Sequence, residues 1–536
     1  MVLTDGVGMV ATLVNNIRRA WLGLAMLSLI SCTETIQQSD QPVIVLASID
    51  TLRADHLSSY GYHRQTSPFI DSLASKGVRF DKARSASPWT LPAHVTMLTG
   101  QLPATHKVVD DGVSLAESTP VLPEILQEKG WATGGVVSTM YVSSLFGFQR
   151  GFDFFEDFSL LNEKKNLSGS VDAEDIIDKA ISFIKGQAAT EPIFLFLHFY
   201  DVHYAYDAPS PFDEKFDRPS RKGDQKYKTY FYFKNKKKVK KAQREHQIAQ
   251  YDEEIVYVDS QLQRFHEELS KHRSNITWIV TADHGEEFWE RGSWGHAHTL
   301  YSEQLHIPLI VSGDDIPTLV QSSGWVGNHD IAPTIESLAG VKGLKADGID
   351  LSPYLNEEAK LPERSFLGET TRFTSNRLSL LQGQYRLEWD LKTDRYELFN
   401  VDEDPKEKNN IAAEKPEIAV QLKMNLEEEL GAPWTALEDG IIWLDRSYAL
   451  KKGRKERKLF VEKGESFQIL PYDAAVYFSG TEQNGEKLGP WQQVGATNPS
   501  EERWLHVESS SGNEVELDDK AKKMLEQLGY IQESAD

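Results

Sequence analysis

Residues 43–56 read VIVLASIDTLRADH, and the reading of this stretch decides the fold. Val43 to Ile49 is an unbroken apolar run rich in β-branched residues. Such a run predicts a strand buried on both faces, as in a parallel sheet. Asp50 follows at once, and ligand sites of open α/β sheets form at the carboxyl ends of strands. The runs PIFLFLH (192–198) and ITWIVT (276–281) repeat the pattern, and a further strand is expected at 133–138. Helical patterns lie between them, at 67–77, 91–98, 121–129, 173–185, 243–271 and 331–339. The first is opened by Ser67-Pro68 and closed by Gly77, a Pro-in, Gly-out signature. Strands alternating with helices predict an α/β fold, a mixed, mostly parallel sheet sandwiched by helices.

From about residue 362 the pattern changes. Short alternating stretches, such as 379–387 and 396–401, predict a smaller antiparallel sheet, with a helix near 417–429. Residues 432–516 are rich in Trp, Tyr, Gly and turn signals and read as β-rich, and 518–528 closes the chain as a helix. The expected organisation is a leader at 1–32, a polar tether at 33–41, a catalytic α/β domain at 42–345, a C-terminal α+β subdomain at 346–431 and a β-rich accessory segment at 432–536.

The 536 residues are 40% hydrophobic, as in a globular protein, and the formal net charge is -23. An acidic surface repels phosphate backbones, so no nucleic acid partner is expected. One basic block, RKGDQKYKTYFYFKNKKKVKKAQR (221–244), interrupts this with interleaved aromatics. It reads either as a solvated loop or as an anion-binding flap over the site. The single cysteine, Cys32, excludes an intrachain disulfide and a cysteine-type zinc site. It ends Leu29-Ile30-Ser31-Cys32, after Arg18-Arg19 and an apolar run too short to span a bilayer, which needs ~20 residues. The segment resembles a bacterial lipobox. That predicts export, lipidation at Cys32 and anchorage to a membrane, on the outer membrane or facing the periplasm.

Three segments carry the chemistry. Ser48-Ile49-Asp50-Thr51 and Thr281-Ala282-Asp283-His284-Gly285 each follow a buried strand, and Pro88-Trp89-Thr90-Leu91-Pro92-Ala93-His94 opens a helix. Carboxylate oxygen and imidazole nitrogen together suit a zinc or manganese ion. An isolated Asp after a strand is more often a turn or helix cap than a ligand, so it is the combination that points to a site.

These segments resemble the sulfatases of the alkaline phosphatase superfamily. The resemblance rests on VIVLASIDTLRADHLSSYGY, SPFIDSLASKGVRF, TLPAHVTMLTG, TADHGEEF, WGHAHTLYSEQLHIPLIV, DIAPTIESLAG and YELFNVDEDPKEKNNIA. It covers roughly residues 42–430. In that family the nucleophile is a Cys or Ser oxidised to formylglycine, followed by Pro and Arg; here Thr90, Pro92 and His94 stand in those places. Thr90 cannot give that aldehyde. In this the chain looks like the phosphate-handling branches, the nucleotide phosphodiesterases and phosphoethanolamine transferases, which attack with an unmodified Thr. The resemblance implies a cation held by Asp50, Asp283, His284 and Thr90. Zn2+ or Mn2+ is favoured, with Ca2+ or Mg2+ as alternatives. A second metal, or the substrate, would fall to Asp201, His203, His296 and His298, and His94 and His106 would assist Thr90. The expected substrate is an anionic ester. A phosphodiester or a phosphate or phosphonate monoester is the leading choice. Sulfate-ester hydrolysis without formylglycine, phosphoryl transfer and a non-catalytic binding role are the alternatives.

Overall fold

The computed structural model describes residues 38–157, 172–216 and 239–429, apart from short gaps at 322–323, 357–358, 371, 373–376, 392 and 394, and isolated strands between 434 and 514. The leader with Cys32, most of the tether, most of the basic block and the helix expected at 518–528 lie outside the described residues.

A nine-stranded sheet forms the centre. Its strands are β1 (Val43–Ile49), β2 (Val78–Arg84), β3 (Ala132–Val137), β4 (Phe154–Asp157), β5 (Ile193–Phe199), β6 (Ile276–Thr281), β7 (His306–Ser312), β8 (Leu319–Gln321) and β9 (Val326–Gly327). The order is β8-β2-β7-β6-β1-β5-β3-β4, with β9 also pairing β2. β1 runs parallel to both β5 and β6, while β7 is antiparallel to β6 and β2. The sheet is therefore mixed and mostly parallel. β1 is buried along its whole length, as the unbroken apolar run requires.

Helices cover the sheet: α1 (Pro68–Ala74), α2 (Thr90–Thr99), α3 (Leu122–Glu128), α4 (Ala173–Gly186), α5 (Lys241–Leu269) and α6 (Ile331–Leu338). α1 stops earlier than expected, because β2 begins directly after Gly77. A Cβ on Gly77 would sit 2.3 Å from the Val311 carbonyl oxygen, so the close approach of β2 to β7 fixes this residue as glycine. β2 and β7 were not read as strands from the sequence. VRFDKAR carries four charges in seven residues, with the adjacent pair Asp81-Lys82 breaking the alternation, and HIPLIVS contains a proline.

A separate four-stranded antiparallel sheet follows, built of β10 (Ser365–Thr370), β11 (Arg377–Gln382), β12 (Tyr385–Asp390) and β13 (Arg395–Asn400), with α7 (Pro416–Glu429) packed on it. The stretch 379–387 is a hairpin rather than one strand, turning at Gly383 with φ 59°. Among the described residues, no helix is long and apolar enough to cross a membrane.

Candidate active site

The site lies at the carboxyl ends of β1, β5 and β6, against the start of α2. Asp50 leaves β1, His198 lies near the end of β5, Asp283 and His284 follow β6, and Thr90 is the first residue of α2. All five are buried.

Thr51 makes the sharp exit from β1. It holds a left-handed backbone at φ 58°, uncommon for a β-branched residue. Its N–H donates to Asp283 Oδ1 at 3.2 Å, its hydroxyl donates to the Val202 carbonyl at 2.9 Å, and its own carbonyl accepts from Tyr251 at 2.8 Å. The turn thus ties the loops after β1, β5 and β6 together.

The reactive cluster is tight. Thr90 Oγ1 lies 3.3 Å from Asp50 Oδ2 and 3.5 Å from His284 Nε2. His284 Nε2 lies 3.3 Å from Asp283 Oδ2 and 3.8 Å from Asp50 Oδ1. His284 Nδ1 donates to the Gly285 carbonyl at 2.9 Å, so the neutral ring turns its Nε2 lone pair toward the two carboxylates. Asp50 Oδ1 and Asp283 Oδ2 are buried without hydrogen-bond partners. Burial pushes Asp50 up to about 7 and raises Asp283 as well, with Asp50's own charge adding to the effect on Asp283. Two orphaned carboxylate oxygens and a facing imidazole lone pair fit one divalent cation. Ligands at ~2.1 Å in a tetrahedral site lie ~3.4 Å from one another. Among the described residues, Asp50, Asp283 and His284 are the one group of three His, Cys, Asp or Glu side chains close enough to share an ion.

His94 lies one turn along α2. Its Nδ1 donates to the Thr90 carbonyl at 2.9 Å, and its Nε2 meets Ser48 Oγ at 2.9 Å. Burial pushes it down to about 3, so it is a neutral brace under Thr90.

A second ring of aromatic side chains stands over the cluster. The His296 ring lies 4.5 Å from that of His284 and 4.9 Å from that of His203. His296 Nδ1 donates to Glu286 Oε1 at 3.0 Å, and Tyr206 donates to Glu286 Oε2 at 3.3 Å. Tyr200 OH meets His203 Nε2 at 3.2 Å. Burial lowers both histidines, His296 to about 3. From the C-terminal side, the Arg372 guanidinium lies 4.2 Å over the Trp89 ring, donates to Tyr141 OH at 2.6 Å and pairs with Asp111 at 3.1 Å.

Three sequence-predicted residues are placed elsewhere. His106 accepts from Val108 N–H at Nδ1 (3.0 Å) and contacts Thr96 Oγ1 through Nε2 (3.1 Å), so it fastens the loop after α2 to that helix. Asp201 accepts from the Ala173 N–H at 2.8 Å and stands at the start of α4, apart from His203 and His296. His298 contacts Glu287 Oε2 at 2.9 Å and the His296 carbonyl at 2.8 Å, bracing a small hairpin. The four-residue second metal set is therefore not assembled. His198 was missed, although a histidine inside the otherwise apolar run IFLFLHF was visible as the one polar residue of that strand.

The mixed sheet covered by helices is an alkaline phosphatase-like fold, and the buried Asp50, Asp283 and His284 at its strand ends could hold a metal ion. The chain belongs to the sulfatase family, whose model, described as Sulfatase, matches residues 42–341. An arylsulfatase of Clostridium perfringens is 23% identical over 444 residues, covering 69% of this chain and 90% of that protein. An N-acetylglucosamine-6-O-sulfatase of Bacteroides thetaiotaomicron is 26% identical over 193 residues, 33% of this chain and 34% of that protein. The phosphonate monoester hydrolase of Agrobacterium radiobacter has the same fold, with a TM-score of 0.57 at 17% identity over 72% of this chain and 95% of that one.

Proposed function

We propose that the protein is a metal-dependent ester hydrolase that attacks phosphate or phosphonate esters with Thr90. The observation that carries this is the Thr90 hydroxyl, set between Asp50 and His284 at the first turn of a helix. Asp50, Asp283 and His284 would hold the cation, with Thr90 as the fourth ligand. Bound there, it supplies positive charge that makes a threonine hydroxyl acidic enough to attack near neutral pH. Asp50 Oδ2 accepts the Thr90 hydroxyl hydrogen bond and orients Oγ1. The N–H groups of Thr90 and Leu91, ahead of Pro92 at the start of α2, face the negative charge that develops on the substrate's oxygens. His203 and His296 line the substrate side of the site next to His284, and each keeps its Nδ1–H on a protein partner, the Tyr204 carbonyl and Glu286 Oε1, so donation to that anion falls to the N–H groups of α2. Attack forms a Thr90 Oγ1–phosphorus bond and releases the alcohol, and water then cleaves that bond.

Sulfate esters are the second reading, favoured by the sulfatase names of the relatives. Against it stands the nucleophile, a threonine that cannot become the formylglycine of the family pattern. Export and membrane anchorage through Cys32 belong to the same proposal, and Cys32→Ala should release the protein from the membrane fraction.

A panel of phosphate mono- and diesters, phosphonate monoesters and sulfate esters separates the readings. Expected are turnover of phosphorus esters, retention of some activity in Thr90→Ser and a loss of ~10³-fold or more in Thr90→Ala, the scale seen when a nucleophile is removed. Full activity of Thr90→Ala sinks the mechanism. Turnover confined to sulfate esters sinks the choice of substrate.

A further inference from the structure

Asp50 has two oxygens with different tasks. Oδ1 is the orphan turned toward His284, at 3.8 Å from its Nε2. Oδ2 receives Thr90 Oγ1 at 3.3 Å, and His198 Nε2 lies 3.4 Å from it. His198 is wholly buried in β5, in register with Ser48 of β1, and its Nε2 has no hydrogen-bond partner. Its other nitrogen meets Ser138 Oγ at 3.1 Å.

The proton positions follow from acceptor counting. If the Ser138 hydroxyl donates to His198 Nδ1, then Nε2 carries the proton and points it at Asp50 Oδ2. If the hydroxyl donates instead to the His198 carbonyl, 2.8 Å away, Nδ1–H turns to Ser138 Oγ and Nε2 is left as a lone pair facing a carboxylate oxygen. The second arrangement sets two buried acceptors against each other and leaves the Nε2 lone pair unsatisfied. The first sets a donor against Asp50 Oδ2 across the 3.4 Å contact. The 3.4 Å contact is long for a hydrogen bond, and such contacts tighten when the site is loaded.

We infer that His198 is a positioning residue for the cation site: its Nε2–H holds Asp50 Oδ2, which commits Oδ1 to the metal. Ser138 fixes the tautomer from behind. This rests on the reading of Asp50, Asp283 and His284 as metal ligands. Carboxylate ligands are themselves oriented by hydrogen bonds, and loss of such a partner typically costs ~10–100-fold in metal affinity.

The experiment is a metal titration of the full chain, stripped with chelator. Co2+ is followed by its visible absorption, and Zn2+ by competition with a chromophoric chelator. His198→Ala is expected to bind ~10–100-fold more weakly and to change the Co2+ spectrum. His198→Gln, whose side-chain amide N–H can replace Nε2–H, recovers most of the affinity and anchors the result if the alanine variant does not fold. Ser138→Ala gives an intermediate loss. Wild-type affinity and spectrum in His198→Ala overturn the inference, as does a His198→Gln as weak as His198→Ala, because then only packing was lost. Asp283→Asn is the control. If it too binds like wild type, the cation reading itself fails; if it abolishes binding while His198→Ala does not, the inference alone fails.

Discussion

Thr51 concentrates the cost of building the site in one residue. A β-branched side chain at φ 58° stores of order 1–3 kcal/mol of strain, held in place by hydrogen bonds to Val202 and Asp283 and from Tyr251. Glycine would adopt this backbone freely but would lose the hydroxyl bond to Val202. That leaves the Val202 carbonyl unpaired, so a loss of ~1–3 kcal/mol opposes a relief of strain of the same size, and Thr51→Gly should change unfolding free energy by less than Thr51→Val does. Thr51→Val keeps the strain and orphans the buried Val202 carbonyl, so it should lose ~1–3 kcal/mol. Denaturant melts of the two variants test this, and a glycine variant less stable than the valine variant would contradict it. Residues of this kind mark how far the sequence could be read. Asp50, Thr90, Asp283 and His284 were legible because each follows a strand end or opens a helix, where backbone geometry alone sets the direction of the side chain. His106, Asp201 and His298 were not. Each sits close to a site motif in sequence, but its direction depends on which neighbour claims it: Val108, Ala173 and Glu287.

At the scale of elements, the start of α6 is a junction. Asp330 is wholly buried, and its carboxylate accepts from Gly327 N–H, Ile349 N–H and both terminal nitrogens of Arg364, on the strand-bearing C-terminal side. Burial alone would raise this carboxyl, but His329 and Arg364 outweigh it and hold it below the ordinary range. A folded-state value below the unfolded one gives stability that is present above the unfolded value of ~3.9 and is lost as pH falls through the folded value. Asp330→Asn should therefore cost ~3 kcal/mol at pH 7, the scale of breaking a buried ion pair, and the gap to wild type should shrink below pH ~4. Equilibrium unfolding of both proteins from pH 7 to pH 3 checks the sign; a gap that widens on acidification would refute it. None of this was visible in DIAPTIESLAG, which the helical period reads only as α6. β1, β5 and β6 were legible because burial on both faces leaves an unbroken apolar run. β4, β8 and β9 are too short to give one, and in β2 and β7 four charges and a proline broke it.

The whole molecule joins the site to the C-terminal sheet through hydrogen bonds at the walls of the cluster. Thr370 Oγ1 donates to the carbonyl of Ala297, next to His296, and Glu369 N–H donates to the carbonyl of Ala86, four residues before Thr90. Arg291 donates to the Lys406 and Glu407 carbonyls at 2.6 and 2.7 Å while pairing with Glu303, and the Glu407 carboxylate accepts from Ser302 N–H at 2.8 Å. A cation held in the cluster as proposed would therefore brace more than its ligands. Binding the folded chain and not the unfolded one, at ~100 times its dissociation constant it should add ~2.7 kcal/mol to stability, and at ~1,000 times ~4.1 kcal/mol. Because the subdomain is fastened to the walls of the site, the shift should appear in one transition seen alike by far-ultraviolet circular dichroism and by tryptophan fluorescence, rather than in the catalytic half alone. Chelator should reverse it, and Asp283→Asn should show no shift with Zn2+ or Mn2+. Two separate transitions, with only one moved by the metal, would mean that the hydrogen bonds from Thr370, Glu369 and Arg291 do not couple the sheets.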